Sequence, residues 1–197
     1  MIKRFVDIVV SIVSMILLLP LFLMIAFAIK IDSKGPVFFK QERLGKNGKV
    51  FKIIKFRTMV DNAEQKGSGL STFEGDPRVT RVGEMLRKTS LDEISQLINI
   101  LIGDMSLVGP RPPVPFHPRK YEEYSDHQVL RFKVRPGITG LAQIMGRNSL
   151  TWDERIEYDV EYVQNVSLLL DIKIILLTIV KVFKSENIHG PSRRKRK

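Results

Sequence analysis

The sequence predicts a mainly helical α+β protein that is attached to a membrane through a re-entrant, proline-broken helix at its N-terminus. Three observations support this fold class. Residues 8–29 form a long run without a charged side chain. Two β-rich runs then meet around residues 47–48, which predicts a β-hairpin. The remaining chain has mostly helical periodicity, which predicts a compact helical domain with amphipathic helices at the membrane interface.

The composition limits the chemistry that this protein can perform. The chain has 197 residues, a formal net charge of +11 and no cysteine. A basic chain of this length predicts one domain of ordinary size with an anionic partner: nucleic acid, anionic lipid or a phosphorylated substrate. Without cysteine there is no disulfide or thiolate chemistry, and three scattered histidines argue against a zinc site or a histidine-based triad. Any chemistry therefore falls to carboxylates, basic groups or hydroxyls.

The uncharged N-terminal run is long enough to cross a membrane. As a helix that rises about 1.5 Å per residue, it extends about 33 Å, close to the ~30 Å hydrocarbon core. Pro20 removes a backbone hydrogen bond near its middle and leaves two arms that are each too short to cross. Basic residues flank both ends, so the positive-inside rule gives no clear orientation. The flanking residues are Lys3, Arg4, Lys30, Lys34, Lys40 and Arg43.

Three arrangements of this segment remain open. A re-entrant helix that bends at Pro20 and returns to the same face fits both basic flanks, with Ser11 or Ser14 as partners for the broken backbone groups. A single spanning helix fits the length. A signal peptide cleaved after the small-residue pattern at 26–28 is the third arrangement, although the apolar run before it is long for that purpose.

The segment VFFKQERLGKNGKVFKIIKFRTM predicts a β-hairpin with its turn at Asn47-Gly48. Its second run carries Lys52, Lys55 and Arg57 among apolar residues, which predicts one basic face. The polar segment 61–80 contains KGSG and GDPR and predicts a mobile loop.

The rest of the chain predicts helices at 82–88, 91–101, 119–130, 152–164 and 168–184. Thr151 and Glu154 are placed as a capping box for the fourth of these helices. The fifth is strongly apolar but charged, so it lies in the membrane interface or packs in a core. These patterns divide the chain into a membrane helix at 1–31, a further domain at 32–184 and a disordered basic tail at 185–197.

Two adjacent carboxylates, Asp92 and Glu93, lie in TSLDEISQL after the basic residues Arg87 and Lys88. One interpretation is structural: Ser90 and Glu93 match a capping box, and an acidic residue in the first turn is favoured by the helix dipole. The other is catalytic, because a helix N-terminus binds phosphate and an ionised aspartate beside that phosphate is placed for nucleophilic attack on phosphorus. The two roles are compatible.

Two further motifs carry candidate anion-binding groups. GPRP at 109–112 presents Arg111 on a backbone stiffened by Pro110 and Pro112, and a structural turn is the alternative. VRPGITG at 134–140 carries Arg135, and its Gly137 could let backbone amides approach an anion. Three acids of the 152–164 helix are interpreted as solvated side chains: Glu154, Glu157 and Asp159.

Taken together and in this order, these motifs closely resemble the bacterial sugar transferases, specifically the monotopic polyprenyl-phosphate phosphoglycosyl transferases in their small, catalytic-unit form. The resemblance rests on the proline-broken apolar N-terminus, the hairpin segment, LRKTSLDEISQLINILIGDMSLVGPRP and VRPGITGLAQIMGRN. It covers about residues 2–184. It favours the re-entrant arrangement, because the family's broken helix enters and leaves from one face.

The resemblance implies an enzyme at the cytoplasmic face of the bacterial inner membrane, with residues 32–184 as its transferase domain. Such an enzyme transfers a sugar 1-phosphate from a UDP-sugar to undecaprenyl phosphate and releases UMP, the first membrane step of glycoconjugate synthesis. Asp92 would be the nucleophile that forms a covalent phosphosugar intermediate. Glu93 would hold Mg²⁺, while Arg87 and Arg111 would meet phosphate. The remaining candidates for substrate binding are Lys55, Pro112, Arg135 and Gly137.

Two other classes of function remain open from the sequence. A membrane-tethered protein that binds nucleic acid or anionic lipid would also be basic, but no nucleic-acid motif is present and the lysines and arginines are spread rather than striped. We therefore expect no nucleic-acid partner. A scaffold for glycan assembly without turnover is the second class. The sequence leaves the transferred sugar and the oligomeric state open, with a dimer among the options.

Overall fold

A computed structural model describes residues 1–65, 69, 73, 75–146 and 149–183. In chain order, the α-helices and strands are α1 (Ile2–Asp32), β1 (Phe38–Leu44), β2 (Val50–Phe56), α2 (Arg81–Thr89), α3 (Leu97–Ile102), β3 (Ser106–Val108), α4 (Asp126–Val129), β4 (Gly137–Thr139), α5 (Leu141–Met145), α6 (Trp152–Gln164) and α7 (Leu168–Phe183). Short 3₁₀ turns precede or join several of these elements. The predicted mainly helical α+β class is confirmed.

The hairpin is confirmed in the predicted position. Strands β1 and β2 pair antiparallel, with Phe38 opposite Phe56 and Leu44 opposite Val50. Asn47 and Gly48 both take left-handed backbone angles in the turn, at φ 56° and φ 73°, a conformation that asparagine and glycine adopt at little steric cost. The hairpin therefore gives β2 a fixed register, which decides where its lysines point.

Helix α1 is continuous from Ile2 to Asp32 and passes through the exposed Pro20. By length and composition it is the one helix among the described residues that could cross a membrane. The chain continues helically on both sides of the proline, and the re-entrant bend stays a prediction. Ser11 is buried, and its hydroxyl has no hydrogen-bond partner among the described residues.

One face of α1 packs along the rest of the protein. The residues on this face recur every three or four positions, which is the spacing of a helix stripe. They include the buried Asp7, Ser11, Ile25 and Ile29 and the partly buried Met15, Leu18 and Phe22. The opposite face exposes large apolar side chains, among them Phe5, Ile12, Ile16, Leu23 and Phe27. An apolar outer face is what contact with lipid requires.

The N-terminal end of α1 is tied to the domain by polar contacts. The Lys3 ammonium lies 2.6 Å from Oδ2 of Asp171 on α7. The buried Asp7 carboxylate accepts a hydrogen bond from the Leu107 backbone N–H at 3.1 Å. Tyr162 donates to Asp171 at 2.7 Å and so links this contact to α6.

The C-terminal end of α1 is tied to the same domain. Asp32 accepts a hydrogen bond from the Val82 N–H at 3.0 Å. The Arg57 guanidinium on β2 donates to the carbonyl oxygens of Ser33 and Lys34, each at 2.8 Å. Residues at both ends of the apolar helix therefore contact the rest of the protein.

Several predicted helices have different local structure. The 91–101 segment begins as a 3₁₀ turn, Leu91–Gln96, and becomes α-helical only in α3, which ends before Gly103. The 119–130 segment is not one helix but two 3₁₀ turns around the single turn of α4. The capping box at Thr151 and Glu154 is confirmed, since each side chain bonds the other's backbone.

The parallel pair β3–β4 was not predicted from the sequence. Ser106 lies opposite Gly137 and Val108 lies opposite Thr139, so the segments that carry the GPRP and VRPGITG motifs lie side by side. The backbones are so close that a β-carbon on Gly137 would overlap the Gly109 nitrogen. Glycine is needed here for close packing of two chain segments.

The buried core is divided among the elements that surround the site. One cluster joins Ile25 and Ile29 of α1 to Phe56 and Leu86. A second joins Ile53, Leu97, Ile100 and Met105, and two more lie under α6 and α7. Helix α7 buries Ile174 and Asp171 but exposes Leu169, Ile172 and Leu176. The division into 1–31 and 32–184 stays a prediction, and the tail 185–197 lies outside the described residues.

Candidate active site

The carboxylate pair lies in the tight connection between α2 and α3. Helix α2 begins at the Thr80 cap, whose hydroxyl accepts from the Gly83 N–H at 3.0 Å, and ends at Thr89. Ser90 then takes the left-handed conformation, φ 57°, and turns the chain into the 3₁₀ segment 91–96. The predicted capping box at Ser90 is wrong. The Ser90 side chain does not cap this turn, and the Glu93 side chain forms an ion pair with Lys55 instead.

Glu93 is held by two cations from distant parts of the chain. Its Oε1 lies 2.7 Å from the Lys55 ammonium of β2 and 2.9 Å from Nη2 of Arg111. Its side chain is 14% exposed, while that of Arg111 is 42% exposed. Burial works to raise the pKa of Glu93, but Arg111 and Lys55 outweigh it and hold that pKa well below the usual glutamate range. Glu93 is therefore ionised at neutral pH.

Asp92 has a different environment although it is the next residue. Its ion pair with Lys55 is long, 3.9 Å from Oδ2 to Nζ, and its side chain is 13% exposed. Burial raises the pKa of Asp92, with Lys55 opposing this and the Glu93 charge adding to it. The helix terminus was expected to favour the ionised form, whereas burial here works against it. Asp92 is a carboxylate without a short ion pair, facing the cavity described next.

A cavity of about 1140 Å³ extends from this pair along β1, β2 and α6. Its lining contains more basic than acidic side chains, which makes it suited to an anionic ligand. The basic residues in the lining are Lys40, Arg43, Lys55, Arg57, Arg87, Arg111, Arg131 and Arg155. The acidic residues are Asp61, Asp92, Glu93 and Asp159.

Arg87 approaches the pair from α2. Its Nε donates to the Thr58 hydroxyl at 2.9 Å, which fixes the guanidinium at the cavity edge. Burial lowers the pKa of Arg87, with the Asp92 charge acting in the opposite direction. Asp92 is thus surrounded by three cations, Lys55, Arg87 and Arg111, each of which affects its pKa.

The cavity lining also includes residues that the sequence motifs did not single out. Phe116, His117 and Trp152 belong to it, and Gln143 of α5 and Arg155 of α6 complete it. The His117 and Trp152 rings meet edge to face with centroids 5.2 Å apart, and the Arg155 guanidinium lies 4.9 Å from the Trp152 ring centroid. The single tryptophan of the chain was the available signal.

Asp159 corrects the prediction of a solvated helix acid. It forms an ion pair with Arg131 in which both side chains are 1% exposed. The same Arg131 nitrogen donates to the Arg111 carbonyl oxygen at 2.9 Å. The other two acids are exposed as predicted: Glu154 caps α6, and Glu157 lies 3.0 Å from His127.

A family model described as the bacterial sugar transferase matches residues 1–185 of this chain. The chain belongs to the bacterial sugar transferase family. The match spans all the site elements above, so the resemblance seen in the motifs is confirmed.

Relatives of this sugar transferase include proteins with curated names. It is 46% identical over 192 residues to the Klebsiella pneumoniae UDP-glucose:undecaprenyl-phosphate glucose-1-phosphate transferase, covering 95% of this chain and 41% of that protein. It is 48% identical to a Bacillus subtilis uncharacterized sugar transferase, EpsL, covering 85% of this chain and 79% of that protein. It is 40% identical to a Sinorhizobium fredii exopolysaccharide production protein, ExoY, covering 91% of this chain and 84% of that protein. The chain thus spans about two fifths of the first relative.

The cavity of the sugar transferase brings together five of the eight predicted site residues: Lys55, Arg87, Asp92, Glu93 and Arg111. The other three do not line it. The Gly137 N–H donates to the Pro110 carbonyl, so it is occupied within the β3–β4 region. Arg135 donates from Nε to the Gly103 carbonyl at 2.7 Å, and Pro112 accepts from Arg43 at 3.2 Å. Their role in substrate binding stays a prediction.

The described residues contain no group of three or more acidic, histidine or cysteine side chains that could hold a metal ion. Mg²⁺ commonly binds to one or two protein carboxylates and completes its coordination with water and substrate phosphates. Asp92 and Glu93, side by side on a cavity suited to phosphates, fit that partial donor set.

Proposed function

We propose that this protein transfers a sugar 1-phosphate from a UDP-sugar to a polyprenyl phosphate, with Asp92 as a covalent nucleophile. The observation that carries this proposal is the difference between the two neighbouring carboxylates. Glu93 takes the short bonds from Lys55 and Arg111, whereas Asp92 faces the same cations without a short ion pair. A carboxylate that is not neutralised by a direct partner keeps its lone pairs available for attack.

The chemistry follows in two steps. An Asp92 carboxylate oxygen attacks the phosphorus that bears the sugar, and the bond from that phosphorus to the bridging oxygen breaks, so UMP leaves with the electron pair. An oxygen of the polyprenyl phosphate then attacks the same phosphorus and releases the Asp92 carboxylate. Repulsion between carboxylate and phosphate opposes both steps. Lys55, Arg87 and Arg111 lie around Asp92 and stabilise the charge that develops on the phosphoryl oxygens.

Mg²⁺ is proposed as the cofactor, held by Glu93 together with the substrate phosphates. Bound there, it would neutralise phosphate charge in the way that divalent ions do in phosphoryl transfer. Glu93 suits this role because its low pKa keeps it ionised at any physiological pH. Addition of EDTA should abolish turnover, and Mg²⁺ in excess of the chelator should restore it.

The exposed apolar surface of α1 and α7 supports the proposal that the acceptor is a lipid. Helix α1 exposes an apolar face along its length, and α7 adds exposed side chains that include Leu169 and Leu176. A phosphate headgroup lies at the surface of the bilayer, so an enzyme that uses it needs its nucleophile near that plane. We propose that the domain lies on the cytoplasmic face of the bacterial inner membrane, where nucleotide sugars are present.

Purified protein in detergent, supplied with Mg²⁺ and polyprenyl phosphate, tests the reaction by UMP release. The donor panel starts with UDP-glucose and UDP-galactose, because relatives carry the names UDP-glucose:undecaprenyl-phosphate glucose-1-phosphate transferase and galactosyl transferase CpsE. We expect Asp92→Asn to lower the rate by at least about 10³-fold, and Asp126→Asn, the same change at an exposed helix residue, to leave it unchanged. A binding protein or scaffold would release no UMP with any donor.

Intact-protein mass spectrometry tests the covalent step separately. With donor present and lipid withheld, the mass of the protein should rise by one sugar phosphate, and peptide mapping should place the adduct on Asp92. A mechanism in which lipid and donor react directly in a ternary complex predicts UMP release without any adduct.

A further inference from the structure

Resting on the proposed function, we propose that Gln143 and the aromatic wall, defined as Phe116, His117 and Trp152, bind the nucleobase of the nucleotide donor. These residues line the same cavity as Asp92 and belong to other elements, namely α5, α6 and the segment before α4. In this proposal the base contacts these residues while the diphosphate contacts the carboxylate pair and its cations.

The Gln143 carboxamide is the first observation. Both its Nε2 and its Oε1 are shielded from water and have no hydrogen-bond partner among the described residues. A buried donor and acceptor left without partners cost free energy, and most such groups in native proteins are paired. Gln143 lines the cavity, so a rotation of its side chain that turns the shielded carboxamide into the cavity would let a ligand supply both missing partners.

The position of Gln143 is fixed by its surroundings. Helix α5 begins at Leu141, with Gly140 as its N-cap directly after β4, and buries Leu141, Ala142 and Ile144 in the domain. A β-carbon on Gly140 would meet the Gly109 carbonyl and lie 2.9 Å from Gln143 Oε1. The amide is thus carried on a short helix packed tightly against the β3–β4 pair. The backbone that carries the side chain is therefore fixed, so a carboxamide that rotates into the cavity enters it from a defined position.

The aromatic wall is the second observation. His117 and Trp152 meet edge to face with an interplanar angle of 87°, so they form a corner rather than a flat stack. Phe116 beside them is 64% exposed although it is a large apolar side chain. Flat aromatic surfaces at the edge of a cavity are suited to stacking against a planar base.

The chemistry of uracil matches both observations. Its imide edge carries an N–H donor next to a carbonyl acceptor, which pairs with the acceptor and donor of a carboxamide side by side. A hexose has no planar face of this kind and presents single hydroxyls in several directions. The cavity volume of about 1140 Å³ exceeds the range of about 300–1,000 Å³ typical of small-molecule sites, which leaves room for base, diphosphate and sugar together.

Equilibrium binding in the Asp92→Asn background tests the subsite without turnover. Calorimetry compares UMP with ribose 5-phosphate, which has a hydroxyl in place of the base, and also measures the UDP-sugar donor. We expect Gln143→Met to weaken UMP about tenfold, the effect of losing two neutral hydrogen bonds, and to leave ribose 5-phosphate unchanged. Gln164→Met makes the same change at an exposed position of α6 and should alter neither.

Equal weakening of both ligands would overturn the proposal, as would a variant that binds UMP normally but loses affinity for the UDP-sugar, which would assign Gln143 to the sugar. Should Gln143→Met fail to fold, Trp152→Leu is measured with the same pair of ligands and the same expectation. The subsite and the proposed function fail separately: absence of UMP release by the wild-type protein contradicts the function, while the UMP and ribose 5-phosphate comparison decides the subsite.

Discussion

Arg131 and Asp159 form an ion pair in which both side chains are 1% exposed. The guanidinium also donates to the Arg111 carbonyl oxygen at 2.9 Å, and Arg111 in turn lies 2.9 Å from Glu93. The buried pair thus holds the backbone that presents a cation to the active site. Arg131 and Asp159 are positioning residues in this arrangement, because they act on the site through Arg111.

Removing one member of this pair should destabilise the protein strongly. Asp159→Leu leaves a buried guanidinium without its counter-ion, which costs about 3–5 kcal/mol. The double variant Arg131→Met/Asp159→Leu should recover most of that loss, because apolar side chains replace both charges. Its kcat/KM should nevertheless stay about 10²-fold low, since Arg111 is no longer held in place. Denaturant unfolding and steady-state kinetics measure the two effects.

The pair Arg119–Asp153, with side chains 28% and 70% exposed, provides a more exposed control whose acid lies on the same helix as Asp159. Arg119→Met/Asp153→Leu should change the free energy of unfolding by less than about 1 kcal/mol and leave the kinetics intact. Full recovery of activity in the buried double variant would show that the Arg131–Asp159 pair acts only on stability.

Asp92 and Glu93 should have opposite effects on stability when each is replaced by its amide. The raised pKa of Asp92 means that its ionisation destabilises the folded state above that pKa, so Asp92→Asn should raise the thermal midpoint at neutral pH. The lowered pKa of Glu93 means that its charge stabilises the fold above the ordinary value of 4.5, an effect lost at acid pH. Glu93→Gln should therefore lower the midpoint, by a loss of about 1–3 kcal/mol.

Differential scanning fluorimetry in detergent gives these midpoints. The exposed Glu122→Gln controls for the loss of one negative charge and should change little. Midpoints that fall for both active-site amides would contradict the assignment of opposite pKa shifts.

The rate of adduct formation should depend on pH through Asp92. The nucleophile is the carboxylate, and burial raises the pKa of this group, so the rate should increase across an acidic limb centred above the usual aspartate value of 3.8. Lys55 lowers that pKa, and Lys55→Met should move the limb to higher pH. Single-turnover measurements of the adduct with lipid withheld give the profile.

Lys52→Met is the control for this profile, because Lys52 lies on the same strand with its side chain exposed outside the cavity. Its limb should coincide with that of the wild-type protein. An unchanged limb in Lys55→Met would show that Lys55 does not set the ionisation of Asp92.

Both ends of α1 should lie on one side of the membrane. Lys3 contacts Asp171 and Ser33 contacts Arg57, so the two ends of the helix touch the same domain. The chain contains no cysteine, and Ile2→Cys and Lys34→Cys therefore each introduce a single thiol. In inside-out vesicles a membrane-impermeant maleimide should label both.

Leu19→Cys, at a position 55% exposed in the middle of the helix, serves as the reference for protection by lipid and should react slowly. A spanning helix predicts a different result. One terminal cysteine would then be labelled only in inside-out vesicles, and the other only in right-side-out spheroplasts.

The features that depend on local patterns could be predicted from the amino-acid sequence. The uncharged run, the Asn47-Gly48 turn and the Thr151 cap each follow from a few adjacent residues, because hydropathy, backbone angles and capping are short-range properties. The Asp92-Glu93 pair was also visible, as were the basic residues that surround it. The order of these motifs was sufficient to indicate the family.

How the residues of the site divide their roles follows from the three-dimensional packing of distant segments. Lys55 is 38 residues from Glu93 in the chain, and the hairpin register places its ammonium nearer to Glu93 than to Asp92. The same is true of Asp159, which its helix pattern presents as a solvated acid and which packing buries against Arg131. Ion pairing and burial depend on which distant segments pack together, and no local pattern encodes that choice.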